Sequence, residues 1–255
     1  MSDPIDLHDL LRRIGLRIPP AALQALLAHA AKTKLGPARI IEELVAAEIR
    51  EREARNLARR TRLATLGTYK PLDEFDWAHP RTIDRNLYDH LRGLDFVAQG
   101  QNVLFRGQAG VGKTLLAQHL GLRALERGLS VRFSTISAAL ADLLRQESIP
   151  ATERRLKRYL GPQLLILDEL GYVPSDSRAA DLLYNIVSRR HEKRSVVITT
   201  NLAFKQWGSV FQDASCLGAL VDRFAQHCHV MDIDADSWRD KNSIRRSPPP
   251  RTPKR

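Results

Sequence analysis

Apolar residues follow two different rhythms along the chain. Residues 5–62 place Leu, Ile and Ala at helical spacing, whereas residues from Asn102 onward gather them into short runs. In the first stretch Leu7, Leu10, Leu11 and Ile14 fit one short helix. Pro19 and Pro20 then open a second, with Leu23, Leu26, Leu27 and Ala30 on one face. Gly36 and Pro37 interrupt it, and a third helix carries Ile40, Ile41, Leu44, Val45 and Ile49 into the charged run EIREREARNLARRTR. In the second stretch NVLF, VRFSTI, LLILD, VVITT and HVMDID alternate with helical segments, which predicts βα units and a parallel sheet. The expected fold is α/β, with a five-stranded parallel sheet preceded by a small all-helical domain. The expected boundaries are 1–66 for the helical domain, 67–80 for a linker, 81–240 for the α/β domain and 241–255 for a tail. Within the linker, Phe75 and Trp77 are too apolar for water and are expected to cover the edge of the next domain. The tail RRSPPPRTPKR has no core-forming residue and is expected to be disordered.

Composition changes this picture in one respect. Of the 255 residues, 43% are hydrophobic and 27% charged, ordinary for a globular chain, while the net charge is +11. That excess is uneven: residues 71–240 balance 21 basic against 21 acidic side chains, residues 1–70 carry 13 against 8, and residues 241–255 carry 6 against none. A neutral middle with basic ends fits a compact unit whose arms meet a polyanion such as nucleic acid. The simpler alternative is that basic ends only maintain solubility. No apolar run approaches the length of a membrane span. Met1–Leu10 lacks a basic stretch of the secretory kind, so a cytoplasmic location is expected. The two cysteines, Cys216 and Cys228, form no close-spaced framework and need no disulfide.

The strongest chemical signal is GQAGVGKT, which runs from Gly107 through Gln108, Ala109, Gly110, Val111, Gly112 and Lys113 to Thr114. It lies between an apolar strand and a helical run, and it matches GxxxxGK[ST]. Backbone N–H groups of such a loop wrap a polyphosphate, and the following helix start adds partial positive charge. Lys113 is placed to reach the β- and γ-phosphates of ATP, and the Thr114 hydroxyl to ligate Mg²⁺. LLILDE puts Asp168 and Glu169 at the carboxyl end of a buried strand, where α/β sheets bind ligands. Asp168 suits the Mg²⁺, and Glu169 suits orienting and deprotonating a water; helix capping is the plainer role for Glu169. Asn201 ends the strand VVITT and can touch the γ-phosphate or the water, although turn asparagines are common. Arg223 and Arg239 are further cations that can offset transition-state charge, with an Asp222 ion pair as the simpler use of Arg223.

Three basic segments are weighed for DNA contact. Arg50, Arg55, Arg59 and Arg62 fall on the charged part of the third helix, which is either a solvated face or a phosphate-contacting one. Arg154, Arg155, Lys157 and Arg158 precede the Asp168 strand, and Arg189, Arg190, Lys193 and Arg194 precede the next. Cations are favourable at helix C-termini without any ligand, so a structural role is the first reading of both clusters. His227, Cys228 and His229 alternate across a strand and do not make a metal site.

Taken in order, the helical front, PLDEFDW, GQAGVGKT, LLILDELGYVP, SVVITTNLAFKQW, ALVDRF and DSWR resemble the IstB-like ATP-binding proteins, helpers of insertion-sequence transposases and relatives of the DnaC helicase loaders. The resemblance implies an AAA+ ATPase domain, ATP-dependent self-assembly on double-stranded DNA and stimulation of a cognate transposase. It also implies Walker A roles for Lys113 and Thr114, Walker B roles for Asp168 and Glu169, and a sensor role for Asn201. Arg223 is implied as an arginine finger supplied to a neighbouring subunit. The segment at Asp234–Arg239 departs from the family's G-x-S-Y-R, which leaves Arg239 without an assigned role. A replicative helicase loader and a non-hydrolysing, ATP-clamped DNA-binding module are the rival functions.

Overall fold

The computed structural model describes residues 6–171, 178–211 and 214–237. It divides after Arg60 into two compact units. The tail at 241–255 and Arg239 lie outside the described residues.

The first unit contains α1 (Leu7–Arg13), α2 (Pro20–Thr33) and most of α3 (Pro37–Ala64). Asp6 caps α1 by accepting from the His8 amide, and Pro20 opens α2 at a position that has no orphan N–H to lose. Its core is small: Leu11, Ile18 and Leu23, with Leu16, Ala22, Leu44 and Ala47 packed around them. The expected apolar face of α3 is therefore rotated. Leu44, Ala47 and buried Glu48 turn inward, whereas Ile41, Val45 and Ile49 are exposed. The Glu48 carboxylate accepts from the Arg17 amide at 2.7 Å and from Arg52 and Arg55 at 3.4 and 3.2 Å. These bonds make a buried carboxylate tolerable.

The second unit takes the last turn of α3, a few residues before the expected boundary, because Ala64 and Leu66 are buried in it. After α4 (Arg85–Leu91) and α5 (Asp95–Ala98), the strands are β1 (Asn102–Gly107), β2 (Val131–Thr135), β3 (Leu164–Leu170), β4 (Ser195–Thr200) and β5 (Cys228–Ile233). They form one sheet in the order β2-β3-β4-β1-β5, with every pairing parallel. The helices that connect them are α6 (Lys113–Glu126), α7 (Ile136–Leu144), α8 (Ile149–Leu160), α9 (Arg178–Arg190) and α10 (Leu217–Ala225).

Strand alternation sends Leu165 and Leu167 toward Leu140, Leu183 and Phe224, while Ile166 meets the opposite face, where it packs at Gly121 of α6. Both faces are covered, so the central strands read as continuous apolar runs. This is the α/β arrangement with a five-stranded parallel sheet that the alternation of apolar runs and helical segments predicts.

Candidate nucleotide site

The loop Gly107–Gly112 leaves the carboxyl end of β1 and delivers the chain into the first turn of α6. Gly110 and Gly112 take positive φ values of 81° and 95°, which only glycine adopts without strain. Space matters as well: a Cβ at Gly112 would come within 2.6 Å of the Phe75 ring, and one at Gly110 within 2.5 Å of Ser237 Oγ. Lys113 Nζ donates to the carbonyls of Gly107 and Gln108 at 2.8 and 2.6 Å, which holds the ammonium against the loop that sequence reasoning assigned to phosphate.

Thr114 Oγ1, at the start of α6, donates to the Asp168 carboxylate at 3.0 and 3.1 Å. Asp168 is buried and the adjacent Glu169 is exposed, so two neighbouring carboxylates occupy different environments. A hydroxyl and a buried carboxylate in mutual contact are the hard oxygen donors that Mg²⁺ takes, and the residues present fit that ion. Glu169 adopts a left-handed φ of 62°. Asn201 follows β4, and a Cβ at Gly171 would lie 3.0 Å from its Oδ1, which puts Asn201 beside the end of β3.

The structure thus gathers Thr114, Asp168, Glu169 and Asn201 around the carboxyl ends of β1, β3 and β4. Arg223 is elsewhere: it lies on α10 against α9, with its guanidinium carbon 5.6 Å from the Tyr184 ring centroid and a hydrogen bond to Ser188 Oγ. No Asp222–Arg223 ion pair occurs among the described residues.

Sequence reasoning missed two contributors. Thr199 contacts Asp168 and the Glu169 backbone, and nothing in the run VVITT separates it from its apolar neighbours as a site residue. Ser237 sits over Gly110, a contact that needs β5 beside β1. Phe75 packs on Gly112 and on Trp77 at 4.7 Å, Trp77 meets Tyr88 at 5.3 Å, and the Tyr88 hydroxyl donates to the Leu116 carbonyl of α6. Burial pushes the Tyr88 pKa up, so this donor keeps its proton.

The basic candidates separate by environment. Arg55 is bound to Glu48 and Arg155 to Asp142, the latter through two bonds of 2.7 and 2.5 Å. Arg50, Arg59, Arg62, Arg154, Lys157 and Arg158 are exposed. Arg189 pairs with Glu153, and Arg190 is buried.

A family model described as IstB-like ATP binding protein matches residues 10–246. The insertion sequence IS21 ATP-binding protein of Pseudomonas aeruginosa is 34% identical over 92% of this chain and 89% of its own length. That of IS232 from Bacillus thuringiensis subsp. berliner is 36% identical over 76% of this chain and 78% of its own. Among solved structures, DnaI is similar with a TM-score of 0.52 at 19% identity, covering 68% of this chain and 90% of DnaI. Domain III of Thermotoga maritima DnaA also gives 0.52 at 19% identity, over 72% of this chain and 79% of that domain. At that identity the likeness shows the fold alone.

Proposed function

Because the chain belongs to the IstB-like ATP-binding proteins, we propose that it hydrolyses ATP, assembles with copies of itself on double-stranded DNA and stimulates the transposase of its insertion sequence. The observation that carries the ATPase reading is the contact of Thr114 with Asp168 beside an exposed Glu169.

In this reading the loop amides and Lys113 hold the β- and γ-phosphates, with the positive end of α6 aimed at them. Thr114 and Asp168 hold Mg²⁺, which when bound neutralises charge on the phosphates. Glu169 orients a water and takes its proton as the water oxygen bonds to the γ-phosphorus and the bond to the ADP oxygen breaks. Burial of Asp168 and exposure of Glu169 match this division, since a metal ligand sits inside the site and a base must reach solvent. Asn201 contacts the γ-phosphate or the water. Arg223, turned to α9, serves a neighbouring copy's nucleotide, so hydrolysis depends on assembly.

Exposed Arg154, Lys157 and Arg158 of α8, and exposed Arg50 and Arg59 of α3, supply phosphate contacts to DNA. A few such contacts per copy are weak. Repetition along a duplex multiplies them, so ATP-dependent assembly also controls DNA affinity.

Glu169→Gln tests the reading. ATP turnover should vanish, and ATP-dependent assemblies on duplex DNA, seen by electron microscopy, should persist. Unchanged turnover, or assembly indifferent to nucleotide, refutes it. Strand transfer by the cognate transposase, measured with and without the chain, tests the last step.

A further inference from the structure

We infer that Thr199 is a positioning residue for hydrolysis: its buried hydroxyl locks a bulge in β3 that keeps Asp168 inside the site and presents Glu169 at the rim. The inference rests on reading Glu169 as the group that activates water.

The register carries the argument. Leu167 pairs with Ile198 and Leu170 pairs with Thr200, so between those pairs β3 has two residues, Asp168 and Glu169, where β4 has only Thr199. A bulge of this kind bends its strand and redirects side chains, and it leaves ladder groups in need of partners. The Thr199 side chain supplies them. Its Oγ1 accepts from the Glu169 amide at 2.9 Å and donates to Asp168 Oδ1 at 2.5 Å. One atom therefore satisfies the backbone of one acid and the carboxylate of the other. The bulge also explains how Glu169 holds a φ of 62°, a conformation that costs a non-glycine residue energy unless its surroundings enforce it.

Without the bulge, strict alternation would put Asp168 and Glu169 on opposite faces of the sheet. Only the break in register lets consecutive residues serve one site. Thr199 is fully buried. Its side-chain hydrogen bonds reach the site through the two acids. Thr200 shows the same use of a hydroxyl one step on, donating to the Leu170 carbonyl and accepting from the Leu202 amide at 3.0 Å. That pair closes the bulge and fixes the turn into Asn201.

The test compares Thr199→Val with Thr199→Ser in the full chain, with ATP, Mg²⁺ and duplex DNA. Valine keeps the shape and removes the hydroxyl; serine keeps the hydroxyl. Thr199→Val should lower kcat roughly tenfold or more while ATP affinity stays within about threefold, and Thr199→Ser should return most of the rate. Hydrogen exchange at the Glu169 amide should quicken in the valine variant and not in the serine variant. Wild-type kcat in Thr199→Val overturns the inference, as does an equal loss of ATP binding, which would mark a purely structural role. Failure of serine to rescue also overturns it. Should the valine variant not fold, Thr199→Cys, which offers only a weak donor, takes its place under the same criteria. Glu169→Gln, assayed in parallel, separates the two readings. If it retains turnover, the reading of Glu169 fails; if it is dead and Thr199→Val is not, only the role of Thr199 fails.

Discussion

Arg223 on α10 donates to the hydroxyl of Ser188 on α9, and its guanidinium lies over the Tyr184 ring. Among the described residues it has no carboxylate partner, unlike Arg106, Arg155 and Arg189, which are paired with Asp232, Asp142 and Glu153. A half-buried cation held in place without an anion suits a site that an anion enters from another copy. Arg223→Ala should bind ATP normally and lose hydrolysis by about 10³-fold or more. Mixing it with Lys113→Ala should restore activity at junctions where an intact loop meets an intact arginine. No recovery in mixtures, with both variants folded and assembling, would place the arginine's action within its own copy.

The Phe75 ring lies over Gly112, where a Cβ would come within 2.6 Å of it. Gly112→Ala meets both a φ of 95° and that ring, so the loop must deform and ATP binding, followed by calorimetry, should be lost. Phe75→Ala removes packing that reaches Trp77 and should cost about 1–2 kcal/mol, or several degrees in Tm. ATP binding by Gly112→Ala at wild-type affinity would refute this account of the loop.

Arg190 is fully enclosed, and its guanidinium donates to the carbonyls of Tyr159, Leu160, Pro162, Gln163 and Ser195. Burial pushes its pKa down, to about 9, with Arg194 adding to the effect, yet the group stays charged at neutral pH. It ties the end of α8 to the starts of β3 and β4. Arg190→Met should strand several buried carbonyls and destabilise the second unit by about 3 kcal/mol or more, read by urea unfolding. Lysine, lacking the planar fork, should not rescue it.

Asp142 reports on acid stability. Hydrogen bonding to Arg155 holds its carboxyl below the usual range, against an opposing push from burial, and the Tyr159 hydroxyl adds to the lowering. A carboxyl whose pKa is lower in the folded chain stabilises above its unfolded pKa, and that contribution fades as pH falls through the folded value. Removing the arginine with Arg155→Ala should therefore make stability less steep in pH below about 4, with the full loss visible at pH 7. Parallel wild-type and variant curves from neutral pH down to acid unfolding would contradict the linkage.

Much of this was legible in the chain because local signals and fold agree. The glycines of the loop, the apolar runs of β1, β3 and β4, and the paired acids each announce themselves within a few residues. The bulge at Asp168 does not, because register is a property of two strands. Valine, isoleucine and threonine are equally good strand formers, and only the partner strand reveals that Thr199 faces two residues. Arg190 is hidden for a related reason. In sequence it is one of several cations at a helix end, and only the carbonyls converging from α8, β3 and β4 distinguish it from exposed Arg189. On α3, Ile41, Val45 and Ile49 recur as regularly as a buried face, but Leu44, Ala47 and Glu48 turn to the small core instead.

The bridge between Thr82 and Asp234 has a consequence for architecture. The Asp234 amide donates to the Thr82 carbonyl at 3.0 Å, and the Arg81 amide donates back to the Asp234 carbonyl at 2.7 Å. The residues that lead toward β1 and those that leave β5 are therefore stitched together at one seam, like the two ends of a belt at its buckle. Because Ala64 and Leu66 are buried in the same unit and Phe75 lies over Gly112, the segment before Thr82 is strapped to the nucleotide loop and does not come away as a detachable part.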